Sequence, residues 1–153
     1  MLRLWVSLFL RAHKAKEFKH DESGIVKIGW RPRSGIEPGI IGNFLPAIAI
    51  YDDCTLLLHA HSNDLSCEFW VTHLGGEKQA QKYEVKMVSS NKDLSTSVTF
   101  QGKVYGSDTF KEQIHGKKDK GGVLELSKSL MKKIGIIHEG ALRFPINYEL
   151  IRK

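Results

Sequence analysis

Leu142, Phe144, Ile146, Tyr148 and Leu150 occupy every second position of an unbroken run, with Arg143, Pro145, Asn147 and Glu149 between them. A period of two can be satisfied only by an extended strand with one face in a core, because a helix would spread the same residues around its circumference. The period recurs upstream. Val26, Ile28 and Trp30 alternate with Lys27 and Gly29, while Tyr83, Val85 and Met87 alternate with Glu84 and Lys86. Ile48 and Ile50 alternate with small alanines, and Val98, Phe100 and Val104 extend the series. Residues 54–61 read as a strongly apolar strand with two histidines on one face, and residues 69–72 as a β-branched and aromatic one. Turn signals stand between these runs at Asp52-Asp53, Ser62-Asn63-Asp64, Gly75-Gly76 and Asn91-Lys92-Asp93. Pro145 cannot donate to a ladder, which predicts that its strand is at an edge or bulged.

Two short helices interrupt the pattern. Ser107-Asp108 is expected to cap one bearing Phe110 and Ile114. Ser127 is expected to cap another over 128–133, with Leu130, Met131 and Ile134 inward and Gly135 as the stop. With no internal repeat and no strand–helix rhythm, the expected fold is all-β: an antiparallel β-sandwich over residues 23–153, preceded by a basic amphipathic tail over 1–22.

A chain of 153 residues is one domain's worth, and 41% hydrophobic content is enough for a real core. The formal charge of +6 is concentrated at one end. Arg3, Arg11, Lys14, Lys16 and Lys19 face only Glu17 within the first twenty residues, so the remaining residues are close to neutral. A body that displaced counterions from a phosphate backbone would need a far denser basic stripe, and nucleic-acid binding is disfavoured. Met1 to Leu10 is almost all apolar, broken by Arg3 and Ser7, and is too short to span a bilayer, which takes about 20 residues. It is expected to be an amphipathic lead-in that packs on the body or on a second chain, a targeting sequence being the alternative. Membrane contact is expected only through residues 1–22.

Cys54, His59, His61, Cys67 and His73 form the most suggestive cluster of metal-ligand types. Their spacing matches no common zinc knuckle or ribbon. Buried thiols in a reducing compartment explain the two cysteines more simply. The glycines do not compose a phosphate-binding loop, no nucleophile elbow occurs, and Lys117-Lys118-Asp119-Lys120 reads as a solvated loop tip. No catalytic site is expected in this chain, and no cofactor or metal.

A sandwich does offer edges to which an extended peptide can add as an extra strand. The best sequence candidate lies between Phe44 and Ile50, with Leu45, Ala47, Ile48, Ala49 and Ile50 as peptide-binding residues of an edge strand. The alanines there would leave room for close approach. A metal- or ligand-binding surface on a His59/His61/His73 face is the alternative reading.

Phe69-Trp70-Val71-Thr72, followed by the Gly75-Gly76 turn with Lys78-Gln79-Ala80 and the alternating Tyr83-Glu84-Val85-Lys86-Met87, resembles a landmark of the seven-in-absentia family of E3 ubiquitin ligases. The later order of strands and helices is similar, and the likeness runs over roughly residues 40–152, the family's C-terminal substrate-binding region. The resemblance implies a TRAF-like sandwich that dimerises and captures extended degron peptides or adaptors at an edge groove around residues 45–50. Ile48 lies near the place of a tryptophan usual in that strand. The family's RING and second zinc module need many Cys and His ligands, and only His13 and His20 precede Cys54. The resemblance therefore implies a module that recruits targets for proteasomal degradation as a homodimer or with a full-length ligase. The resemblance implies ligase activity only within a RING-containing protein or complex, and a cytoplasmic or nuclear location is expected.

Overall fold

The computed structural model describes residues 16–30, 47–62, 66–107, 121–138 and 141–153. Leu45, Phe44, the apolar run before Arg11, the helix expected around Phe110 and Ile114, and the basic loop tip at 117–120 lie outside the described residues.

Two sheets stack face to face as an all-β sandwich. The first holds β1 (Lys16–Lys19), β3 (Ala47–Ile50), β4 (Thr55–Ser62) and β5 (Ser66–His73) side by side. Along the far edge of β5 lie β8 (Tyr105–Gly106) and β9 (Leu124–Ser127). The second sheet is built on β11 (Ala141–Arg152). β10 (Ile136–His138) pairs with its first residues and β2 (Ile25–Trp30) with residues 144–149; β6 (Tyr83–Ser90) and then β7 (Ser97–Lys103) lie on the side opposite β2. Pairing is antiparallel except for β1 with β3 and β5 with β8, which are parallel. Two helices are described: α1 (Glu77–Ala80) and α2 (Lys128–Ile134).

The period-two residues meet where their alternation requires. In the second sheet Val26, Tyr148, Met87 and Phe100 stand in one cross-strand row, and Ile28 faces Ile146. From the first sheet Ala47, Leu58 and Val71 form a row, as do Phe18, Ala49 and Leu56. Phe69 carries the first layer onto the second. Its ring lies 5.8 Å from Phe144 and 6.0 Å from Trp30, centroid to centroid. Tyr51 Oη also crosses the layers, donating to the Tyr148 carbonyl at 2.9 Å.

β5 has all eight residues buried, including Ser66, Glu68, Thr72 and His73. Its outer face is covered too: Trp70 packs with Tyr105 and Val123 and stacks on His59 at 5.1 Å. Close backbone approach there demands glycine, since a Cβ on Gly122 would collide with the Lys103 carbonyl.

The expectation for Pro145 is corrected. β11 is an interior strand, flanked on both sides. Its ladder with β6 reaches only Asn147, and the Pro145 carbonyl beyond it accepts from Ser89 Oγ. In an antiparallel strand the N and C=O of one residue point to the same side. The missing donor thus faces a stretch where the ladder has already stopped. α2 forms as expected, with Ser127 Oγ accepting from Leu130 N–H at 3.2 Å and Met131 and Ile134 buried.

Candidate functional site

Lys16–Lys19, which the sequence places in a basic tail, is an integral strand of the sandwich. β1 lies parallel to β3, pairing Glu17 with Ile48 and Phe18 with Ala49. Phe18 packs on the core, and Lys16 Nζ sits 5.4 Å over its ring. The edge-strand assignment for Ala47, Ile48, Ala49 and Ile50 is therefore corrected: β3 is paired on both sides, with β1 on one and β4 on the other. Ala47, Ala49 and Ile48 are buried, the last at 0% exposure, and Ile50 is half-buried. The physical reason is that an uncharged Ala-Ile-Ala-Ile strand leaves sticky backbone on its open side, which the chain covers with a charged strand of its own.

Among the described residues no strand lies beyond β1, and Lys-Glu-Phe-Lys is the outermost strand that they place on this side of the sheet. Its polarity can be read from one bond. His20 N–H donates to Ile50 O at 3.4 Å, which turns the backbone groups of His20, Phe18 and Lys16 toward β3. The N–H and C=O of Glu17 and Lys19 then point outward. Sequence reasoning missed this strand because four residues with one aromatic give no countable alternation. The available signal was Phe18 flanked by charges, the pattern of a guarded edge.

After β1 the chain crosses to the other sheet through a tight turn. Asp21 carboxylate accepts from Ser23 N–H at 2.8 Å and Ile25 N–H at 3.0 Å, and Gly24 supplies the left-handed backbone at φ 78°. At this corner His20 stacks on Tyr51, ring planes 5° apart, and its Nε2 lies 2.9 Å from Asp52 Oδ1. The two acceptors around the ring, the Asp21 carbonyl foremost and then Asp52, raise the His20 pKa. A shallow pocket opens beside it, bordered also by Glu149 and Arg152. Arg152 grips Asp53 with two donors, one at 3.0 Å, and holds its carboxyl below the usual carboxylate range.

The histidine-and-cysteine cluster does not converge. His59 faces Trp70 and His61 faces Glu68 on the outer surface of the first sheet, whereas His73 pairs with Leu56 on the inner one. His73 Nδ1 accepts from Gly75 N–H at 2.7 Å, and the ring stacks against Tyr83 at 5.5 Å. A shared His59/His61/His73 face is thus corrected by strand alternation. Cys54 and Cys67 are buried thiols of the core, not joined in a disulfide, and burial pushes Cys54 up to about 12. Among the described residues no group of three or more His, Cys, Asp or Glu side chains could hold a metal ion. No described helix is long and apolar enough to cross a membrane.

In comparison with known proteins, no family model and no curated protein matches the chain.

Proposed function

We propose that this sandwich is a protein-interaction module that takes an extended peptide as an added strand on the β1 edge. The observation that carries the reading is the orientation of that edge, with the backbone groups of Glu17 and Lys19 directed away from β3. Main-chain hydrogen bonds to these groups would supply affinity, and side chains on either face of the sheet would supply selectivity. The site thereby moves by one strand from the residues expected around 45–50, of which Ala47–Ile50 become the floor behind it. The likeness of residues 69–87 to the seven-in-absentia family supports a role in recruiting targets for ubiquitin-dependent degradation. In that role the chain, alone as a homodimer or paired with a full-length ligase, holds the target, and a RING-bearing ligase in the assembly supplies the E2. Holding a target beside a charged E2 acts by effective concentration and needs no catalytic group here.

A displayed library of random linear peptides panned against the full chain tests the reading. Enriched peptides should lose at least about tenfold in affinity toward Lys19→Pro, which removes one outward donor and obstructs the edge while leaving the β1–β3 ladder intact. Equal binding to both proteins, or no enrichment, overturns the peptide reading. The degradation role requires affinity capture with the full chain to enrich a RING ligase or its E2, and fails if neither is recovered.

A further inference from the structure

His20 is placed where the edge strand ends and the chain leaves its sheet. Its own N–H closes the β1–β3 ladder on Ile50 O. Its ring lies flat on Tyr51 at 6.0 Å, and Tyr51 is itself tied to the opposite sheet through the Tyr148 carbonyl. Nδ1 faces the Asp21 carbonyl at 2.8 Å and Nε2 faces Asp52 Oδ1 at 2.9 Å. Both partners are acceptors only. A neutral imidazole has one N–H and can satisfy one of them; the imidazolium has two and satisfies both.

We propose that His20 is a proton-operated latch on the edge strand: the imidazolium clips β1 to the β3–β4 turn through Asp52 while also holding the Asp21 carbonyl, and loss of its proton, which leaves one N–H for the two acceptors, loosens the clip. The groups around the ring favour the charged form. Asp52 approaches from the β3–β4 turn and Asp21 from the β1–β2 turn, with Lys27 Nζ 3.8 Å from the Asp21 carboxylate. Glu149 and Arg152 of β11 border the same pocket, but Arg152 is already committed to Asp53. Because the pKa of His20 is raised on folding, the clip is at full strength below the ordinary histidine value and weakens as pH rises through the raised value. The consequence for ligand capture rests on the peptide reading above: a strand adding to β1 needs β1 held flat against β3, so capture weakens on the alkaline side.

The latch is measured on the full chain with no peptide present. NMR titration should place the His20 ring above the ordinary histidine pKa, and Asp52→Asn should lower it. Amide exchange, corrected for intrinsic rate, should show the protection of the Phe18 and His20 amides falling about threefold or more as the ring deprotonates, while amides of the β4–β5 ladder stay constant. In His20→Gln the same protection should be flat with pH; both substitutions are at the surface and leave the core intact. A His20 that titrates at or below the ordinary value, or a Phe18 protection that ignores pH in the unmodified chain, overturns the latch. Failure here leaves the peptide reading standing, and failure of the panning experiment leaves the latch standing.

Discussion

The indole N–H of Trp30 donates to the phenol oxygen of Tyr148 at 2.9 Å, inside a core where both residues are almost wholly buried. Burial pushes the Tyr148 hydroxyl far above its usual range, so it stays a neutral acceptor for that indole. Tyr148→Phe keeps the ring and removes the acceptor, leaving a buried N–H unmet. The expected loss is about 1–3 kcal/mol of stability, read from the urea midpoint with an unchanged slope.

Phe69 is the residue through which the first layer touches Trp30 and Phe144 of the second at once. Phe69→Ala should cost about 3–5 kcal/mol, and Phe69→Leu clearly less. Thermal unfolding of the two variants side by side checks the order; a mild alanine variant would mean that the layers are held elsewhere.

The Arg152–Asp53 pair sits at the surface and is worth little, under about 1 kcal/mol. Its sign is nevertheless defined. Asp53 has a depressed pKa, so its contribution is present above the ordinary carboxylate value and disappears as pH falls through the lowered one. Arg152→Met should therefore be slightly less stable than the unmodified chain near neutrality and equal to it in strong acid. Paired denaturation curves across the acid range give the comparison.

Cys54 and Cys67 are both buried, and the Cys54 thiol is held up at about 12 by burial and the neighbouring Asp53 charge. Since the thiolate is the reactive species, both should resist a disulfide reagent at neutral pH and react together after denaturation in guanidinium. Rapid labelling of either thiol in the folded chain would contradict that placement.

Neighbouring residues of β1 should differ sharply under proline substitution. Phe18→Pro removes a donor that faces β3 and an aromatic packed on the core, and should lower the melting temperature by several degrees. Lys19→Pro removes a donor that faces outward and should leave it nearly unchanged. Equal losses would reverse the assigned polarity of the edge.

Much of the sandwich was legible because its strands have unlike faces. Val26, Ile28 and Trp30, or Phe144, Ile146 and Tyr148, announce a buried stripe and a wet one, and the structure buries each of those six. β5 is harder to read: with all eight residues buried, alternation vanishes and the location of the histidines cannot be seen. His73 and His59 look like neighbours in sequence pattern, yet strand pairing puts them on opposite faces. β1 was invisible for a different reason. Its partner, β3, is about thirty residues away in the chain, and parallel pairing of two four-residue strands leaves no local signature. Pro145 misled because the rule for proline concerns one hydrogen bond, while a long strand can have partners that end before the proline is reached.

The parallel lid that β1 forms on β3 bears on how fragments of this protein should be cut. A fragment starting at His20 would keep nearly all of the core but bare the Ala47–Ile50 strand, four uncharged residues with an open backbone and no lysine to repel a neighbour. Such fragments should associate edge to edge and precipitate, and restoring Lys16–Lys19 should return them to solution.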